Sequence, residues 1–185
     1  MSSEEQSILL RIAHDSIVSK LQRKEISFQA PTDRLAQSRG VFTSLYVRDQ
    51  FGSDQLRGCV GYVRPDIPLY RAVAESARAA AFEDSRFSPL GGEELPNLLV
   101  ELSVLSTLRS ISAEEITVGL HGLLISQEGR RGLLLPQVAI EHGWDRTTFL
   151  EQTCRKAGLP IHAWKEGASV EAFTAQVFGE RTQID

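Results

Sequence analysis

Residues 41–63 read VFTSLYVRDQFGSDQLRGCVGYV, and the alternation within this stretch decides the fold class. Between Val41 and Val47 the odd-numbered residues lie on one side of an extended chain, while Phe42, Ser44 and Tyr46 lie on the other. A polar loop, Arg48–Gln55, then leads to a second apolar stretch, Leu56–Val63. Two antiparallel strands joined as a hairpin are the simplest interpretation.

Helices and a third strand are predicted on either side of this hairpin. The apolar spacing predicts a helix over Glu4–Lys24, an alanine-rich helix after Pro68 and a strand over Leu99–Leu105. Ser2 and Glu5 have the spacing of a capping box for the first helix, and Asp66 is placed to cap the second. Glu101 lies in the middle of the third strand, on a face of mixed polarity.

The second half of the chain repeats this order of elements. The pattern predicts strands over Val118–Ser126, Leu133–Pro136 and Val170–Phe178, a turn over Gln127–Arg130, and a helix over Asp145–Ala157. Both halves therefore follow the order strand, strand, helix, strand. We predict one α+β domain over residues 1–185, built from two related halves (about 1–110 and 111–185) that form two subdomains around a mainly antiparallel sheet.

Composition and charge exclude several classes of protein. The chain has 185 residues, of which 42% are apolar and 24% charged, and a net charge of −4. Its longest stretch without Asp, Glu, Lys or Arg, Ile116–Gln127, is shorter than the roughly 20 residues of a spanning helix. The acidic balance argues against binding duplex nucleic acid. No secretory signal is recognisable and cysteines are few, so we expect a cytoplasmic protein with free thiols.

The most unusual local feature is a cysteine between two glycines inside an apparent strand. Gly58 and Gly61 predict a bulge, or the close approach of another backbone or a ligand. Cys59 is then a candidate nucleophile or ligand, activated by Arg57, Arg64 or His121 if one of them folds nearby. The alternative is that Cys59 packs as a small hydrophobe.

Other polar residues are weaker candidates. A metal site assembled from Cys59, His121 and Glu101 is conceivable, but the four histidines are widely separated and no two ligands share a turn, so we predict no metal site. If His121 is buried, its ring needs a hydrogen-bond partner within the protein; if it is exposed, water solvates the ring. In the loop Asp84–Phe87, Arg86 can clamp a carboxylate or phosphate, although loop charges are commonly just solvated.

Taken together, these segments resemble the AMMECR domain family, also called protein A of the AmmeMemoRadiSam system. Leu56–Gly61 matches the hallmark L-R-G-C-I-G with Val60 for Ile, and Asp84–Leu90 matches D-P-R-F-x-P-L with Ser85 for the usual Pro. Further matches lie in Val100–Leu105, His121–Leu123, Gly132–Ala139 and Phe149–Pro160. The similarity extends from about Ile8 to Glu180.

The resemblance implies an α+β domain of two subdomains and a functional surface. That surface would carry Arg57, Gly58, Cys59 and Gly61, joined by Asp84, Arg86, Glu101 and His121. The resemblance also suggests that the chain associates, in bacteria and archaea, with a Memo-type dioxygenase-like protein and a radical SAM protein. The family brings no established activity, and the sequence assigns no cofactor.

Two functions follow as hypotheses. In the first, the chain is a binding or accessory protein that uses the Leu56–Gly61 segment to contact a partner. In the second, it is a thiol-dependent enzyme with Cys59 as nucleophile or ligand, His121 and Glu101 as further catalytic candidates, and Arg57 and Arg86 holding a small acidic ligand.

Overall fold

The computed structural model describes residues 1–63 and 66–181. Within them lie the helices α1 (Ser3–Leu21), α2 (Leu69–Phe82), α3 (Pro136–Glu141) and α4 (Arg146–Lys156). The strands are β1 (Val41–Arg48), β2 (Asp54–Tyr62), β3 (Leu98–Leu105), β4 (Arg109–Ser110), β5 (Gly122–Gln127), β6 (Arg130–Leu134), β7 (Ser169–Phe173) and β8 (Ala175–Gly179). No helix in the described ranges is long and apolar enough to cross a membrane.

The strands form two four-stranded sheets, in the orders β2-β1-β3-β8 and β4-β7-β5-β6. Every pairing with a described register is antiparallel. The predicted α+β class is therefore confirmed, with the strands divided between two sheets. The chain separates into two compact units, the first formed by Met1–Val104 with the chain from Gln176 onward, and the second by Leu105–Ala175.

The two sheets share an order of strands. In the first, the leading strand β1 lies between its hairpin partner β2 and the later strand β3. In the second, β5 lies in the same way between β6 and β7. The two sheets are thus alike in strand order, and the relation between the two halves stays a prediction.

The core of the first unit forms between α1, α2 and one face of the first sheet. The predicted capping box of α1 is present, because the Glu5 amide donates to the Ser2 hydroxyl and the Ser2 amide donates to the Glu5 carboxylate. The helix then buries Leu9, Ala13 and Ile17, one residue in every turn. The small side chains of α2 let this helix lie close to the strands, as at Ala77 and Ala80, both buried.

The predicted cap of α2 is wrong. The helix begins after Pro68, and no side chain caps it. The Leu69 amide instead donates to the Gln37 carbonyl at 2.9 Å, and the Tyr70 amide donates to the Leu35 carbonyl at 3.3 Å. Backbone carbonyls from a distant loop thus satisfy amides that a capping carboxylate would otherwise bind, and Asp66 stays exposed.

Two elements of the second half also differ from the prediction. The strand predicted from Val118 begins at Gly122, because Leu120 and His121 lie in a turn closed by hydrogen bonds from their amides to the Thr117 carbonyl. The short helix α3 was not predicted. The turn between β5 and β6 is confirmed. The helix predicted over Asp145–Ala157 is also confirmed, with Asp145 as its cap, because the Thr148 amide donates to the Asp145 carboxylate at 2.7 Å.

The predicted strand Val170–Phe178 is two strands in different sheets. β7 belongs to the second sheet and β8 to the first. They separate at Thr174, whose amide donates to the Ser106 hydroxyl and whose carbonyl accepts from the Ser106 amide. Periodicity cannot reveal such a change of partner, because both segments remain extended on either side of it.

Candidate functional site

The two faces of the first sheet are distinguished by the position of α2. The Thr43 hydroxyl of β1 hydrogen-bonds the Ser76 hydroxyl of α2 at 2.7 Å, and Gly58 of β2 lies against Ala80. Side chains alternate along a strand, so Phe42, Ser44 and Tyr46 of β1 point away from α2. We call this side, with Cys59 of β2 and Glu101 of β3, the distal face.

Gly58 lies where the strand and the helix touch. A Cβ built there would be 2.0 Å from the Ala80 carbonyl oxygen, closer than any side chain tolerates. The register of β1 with β2 also shifts here, since Leu45 pairs with Gly58 and Tyr46 with Leu56, which leaves Arg57 as the extra residue of a bulge. The bulge and the close approach expected from the glycines are thus both present.

Gly61 has a different reason to lack a side chain. It pairs with Phe42 across the hairpin, and a Cβ there would be 2.3 Å from the Phe42 ring. The aromatic ring covers the glycine on the distal face. Both glycines of the hallmark are therefore accounted for by packing within the first unit.

The bulge directs Arg57 into an ion pair. Its Nε donates to Glu94 Oε1 at 2.7 Å and its Nη2 donates to Glu94 Oε2 at 3.1 Å, while the guanidinium lies 6.0 Å from the centre of the Phe87 ring. This pair holds the pKa of Glu94 below its usual value. Arg57 Nη1 is buried and has no hydrogen-bond partner in the part of the chain that the structure describes.

Asp84 and Arg86 bind the backbone of Cys59. The Cys59 amide donates to Asp84 Oδ2 at 2.8 Å, and Arg86 Nη2 donates to the Cys59 carbonyl at 3.4 Å. Arg86 also donates from Nε and Nη2 to the Asp84 carboxylate. These donors hold the pKa of Asp84 far below its usual value, the Arg86 guanidinium having the largest effect. Because β2 is an edge strand of its sheet, this loop takes the place of a neighbouring strand at Cys59.

The Cys59 thiol itself lies half-buried on the distal face. Cys59 is paired with Ser44, and the Ser44 hydroxyl donates to Cys59 Sγ at 3.3 Å. Ser44 pairs in turn with Glu101 on β3, so thiol, hydroxyl and carboxylate stand in one row across three strands. Adjacent strands are about 4.8 Å apart, which puts the Cys59 and Glu101 backbones about 10 Å from each other. Cys59 and Glu101, both predicted site residues, therefore lie on one face, although β2 and β3 do not pair with each other.

The distal face also contains residues that the sequence analysis did not select. The Arg181 guanidinium stacks 4.0 Å from the centre of the Tyr46 ring and lies 3.8 Å from both Asp54 and Glu101 carboxylate oxygens. Burial raises the pKa of Tyr46. The alternation of β1 puts Tyr46 on the same face as Ser44, so the sequence pattern could have identified Tyr46. Arg181 lies far along the chain, and no local pattern predicts that it contacts this face.

His121 belongs to the second unit. Its Nδ1 accepts a hydrogen bond from the Thr117 amide at 3.1 Å, and burial together with the nearby Arg109 lowers its pKa. Every interaction described for His121 is with a residue of the second unit, which fits a structural histidine. Arg64, the other predicted activator of Cys59, lies outside the described residues.

The chemistry available at this site is limited by what surrounds the thiol. The described hydrogen bond to Sγ comes from a hydroxyl donor, which can stabilise a thiolate but does not remove a proton. No group of three or more His, Cys, Asp or Glu residues suited to a metal ion is found in residues 1–63 and 66–181. The second thiol, Cys154, is fully buried beside Phe149 and Leu150, and burial raises its pKa.

Comparison with known proteins places these features in a family. The AMMECR1 family model matches residues 10–178. A protein of Methanopyrus kandleri is 40% identical over 97% of this chain and 90% of its own length, and one of Methanocaldococcus jannaschii is 37% identical over 97% and 92%. The crystal structure of an uncharacterized protein from Pyrococcus horikoshii is similar with a TM-score of 0.81 and 39% identity, covering 94% of this chain and 90% of that one.

Proposed function

This chain belongs to the AMMECR1 family, and from that premise we propose that it is a binding protein that recognises a protein partner. The recognition surface is the hallmark surface, which we define as Leu56–Gly61 together with Asp84–Phe87. The observation that carries the proposal is that the charged side chains of this surface are compensated by ion pairs. Arg57 is paired with Glu94, and Arg86 is paired with Asp84.

The contacts within the surface fit a protein better than a nucleic acid. Binding to phosphates requires cations that are free to release their counterions, and both hallmark arginines are already paired with carboxylates. Leu56 is 40% exposed, and the centre of the Phe87 ring lies 6.0 Å from the Arg57 guanidinium and 5.4 Å from that of Arg86. Arginine and aromatic side chains are enriched at protein interfaces.

A Memo-type protein and a radical SAM protein are the partners that we propose for this surface. Each would be purified from the same organism and passed over the immobilised chain. We expect Leu56→Glu to abolish binding of the true partner, because it replaces an exposed apolar side chain of the hallmark surface with a charge. Ile140→Glu is the matched control, since Ile140 is 61% exposed and belongs to the second unit.

The half-buried Cys59 thiol supplies a second measurement of the same contact. Its rate of alkylation by iodoacetamide should fall when the partner is bound and recover in Leu56→Glu. The proposal would be refuted if neither protein binds, or if Leu56→Glu binds as well as the unmodified chain.

A thiol-dependent enzyme is the second candidate, favoured by the hydrogen bond from Ser44 to Cys59 Sγ. If the thiol forms a covalent intermediate, Cys59→Ala abolishes function in cells that lack the native gene. Ser44→Ala, which removes the donor to the sulfur, then reduces it. If a Cys59→Ala chain keeps full cellular function and full partner binding, the thiol-dependent enzyme is ruled out and the binding function remains.

A further inference from the structure

A cavity of about 650 Å³ lies in the first unit, away from the residues of the hallmark surface. The end of α1 and the segment after it supply Lys20, Arg23 and Lys24, and α2 supplies Arg78. The cavity is thus lined by four cations, although the chain as a whole is acidic.

These cations face little opposing charge. Glu25 is the carboxylate that lines the same cavity. No ion pair of Lys20, Arg23, Lys24 or Arg78 is found among the residues that the structure describes. Like charges held together in a concave surface repel one another and focus a positive potential there. A bound anion would relieve this repulsion.

The helix dipole at the end of α1 explains only some of the cations that line the cavity. The free carbonyls at the end of α1 favour a cation such as Lys20. Arg78 lies outside the last turn of α2, which contains no basic residue, so the helix end does not account for it. Its side chain is half-buried at the cavity wall, where an unpaired guanidinium is costly.

Arg23 is the first residue after the cap of α1. Its φ is 54°, in the left-handed region where glycine or asparagine usually follows the end of a helix. The Arg23 amide donates to the Lys20 carbonyl at 3.2 Å and the Lys24 amide donates to the Ser19 carbonyl at 2.9 Å, so the conformation of Arg23 follows from the way in which α1 ends. This cap places the Arg23 guanidinium at the cavity.

We propose that this cavity binds a small molecule carrying two or more phosphate groups. Guanidinium and ammonium groups are the side chains that best complement phosphate oxygens, and the volume is that of an ordinary small-molecule site. Ile26, 41% exposed on the lining, offers an apolar contact to the remainder of the ligand.

Calorimetric titration of the full chain with inorganic tripolyphosphate and with ATP tests the proposal. We expect saturable binding of one ligand per chain. Lys20→Gln and Arg78→Gln should each weaken it by about ten-fold, the loss of one charge-assisted hydrogen bond. Arg131→Gln is the control for a lost positive charge, because Arg131 is exposed and belongs to the second unit.

Two further variants separate a binding role from a structural one. Arg23→Gly removes a contact to the ligand but suits the left-handed backbone, so it should weaken binding while raising the thermal stability of the free chain. Glu25→Gln should strengthen binding, since it removes the opposing carboxylate. Absence of saturable binding at about 1 mM ligand would overturn the proposal. So would binding confined to long polyanions such as single-stranded DNA, or equal losses in Lys20→Gln and Arg131→Gln.

Discussion

Replacing Gly58 with alanine is expected to destabilise the first unit by about 3 kcal/mol, the upper part of the range for overpacking a core. The new Cβ would be 2.0 Å from the Ala80 carbonyl oxygen, whereas ordinary contact begins at 3.4 Å. β2 and α2 must therefore separate locally by about 1.4 Å. Both colliding groups belong to the main chain, so neither a rotamer change nor a flexible side chain can absorb the contact.

The assay can assign the loss to the correct unit. Both tryptophans, Trp144 and Trp164, lie in the second unit, so their fluorescence reports on that unit, while circular dichroism reports on both. For a chain of this size, 3 kcal/mol lowers the unfolding midpoint by about 6–12 °C. We expect the dichroism transition of Gly58→Ala to move by that amount.

The controls use other glycines of the same chain. Gly92→Ala should be neutral or stabilising by about 0.5 kcal/mol, because its Cβ would meet nothing within 4 Å. Gly132→Ala should instead shift the tryptophan signal, since a Cβ there would be 2.4 Å from the Ala157 amide nitrogen. If Gly58→Ala unfolds at the same temperature as Gly92→Ala, the close approach of β2 and α2 is not a constraint and the reasoning fails.

Three other predictions concern ionisable groups. Asp84→Ala should cost about 3 kcal/mol at neutral pH, because the carboxylate is only 7% exposed and accepts charge-assisted hydrogen bonds. The pKa of Asp84 is depressed on folding, so this contribution is present above its unfolded pKa and is lost as the pH falls through the folded value. Urea midpoints of the two proteins should converge in acid. His14 Nε2 donates to the Glu180 carboxylate at 2.9 Å, and this hydrogen bond raises the pKa of His14. Its contribution is full below the unfolded pKa and is lost as the pH rises through the folded pKa. Glu180→Gln should therefore lower the His14 pKa in an NMR titration and cost more stability at about pH 6 than at about pH 9. Iodoacetamide should add one group to the native chain, at Cys59, with Cys154 reacting only after unfolding. Intact mass measures the count, and two groups on the native chain would contradict the burial of Cys154.

Local patterns predicted the elements whose partners are near in sequence. The alternation of Val41–Val47 and the spacing of Ser2 and Glu5 are set by steric and hydrogen-bonding rules that act within a few residues. The structure confirms β1 and the cap of α1 for that reason. The prediction at Asp66 is wrong because the amides of Leu69 and Tyr70 bind carbonyls from Leu35 and Gln37, more than thirty residues away.

The candidate site was predictable in part for the same reason. The pair of glycines indicated a close approach before its partner was known, and that partner is Ala80. The sequence could not show that Asp84 and Arg86 bind the Cys59 backbone, since this depends on the chain returning to the edge of β2. Nor could it show that His121 is satisfied by Thr117 in the second unit.

The coverage of the β2 edge by Asp84 and Arg86 affects how genetic data on this family should be interpreted. Removing either side chain frees the backbone amide or carbonyl of Cys59. The edge of β2, which also contains the apolar residues Leu56 and Val60, could then pair with the same edge of another copy of the chain. A variant that self-associates through this edge would be degraded in cells, and the cells would show loss of function although no ligand contact had been touched. Substitutions at these two positions therefore identify a binding residue only when the variant is shown to remain monomeric.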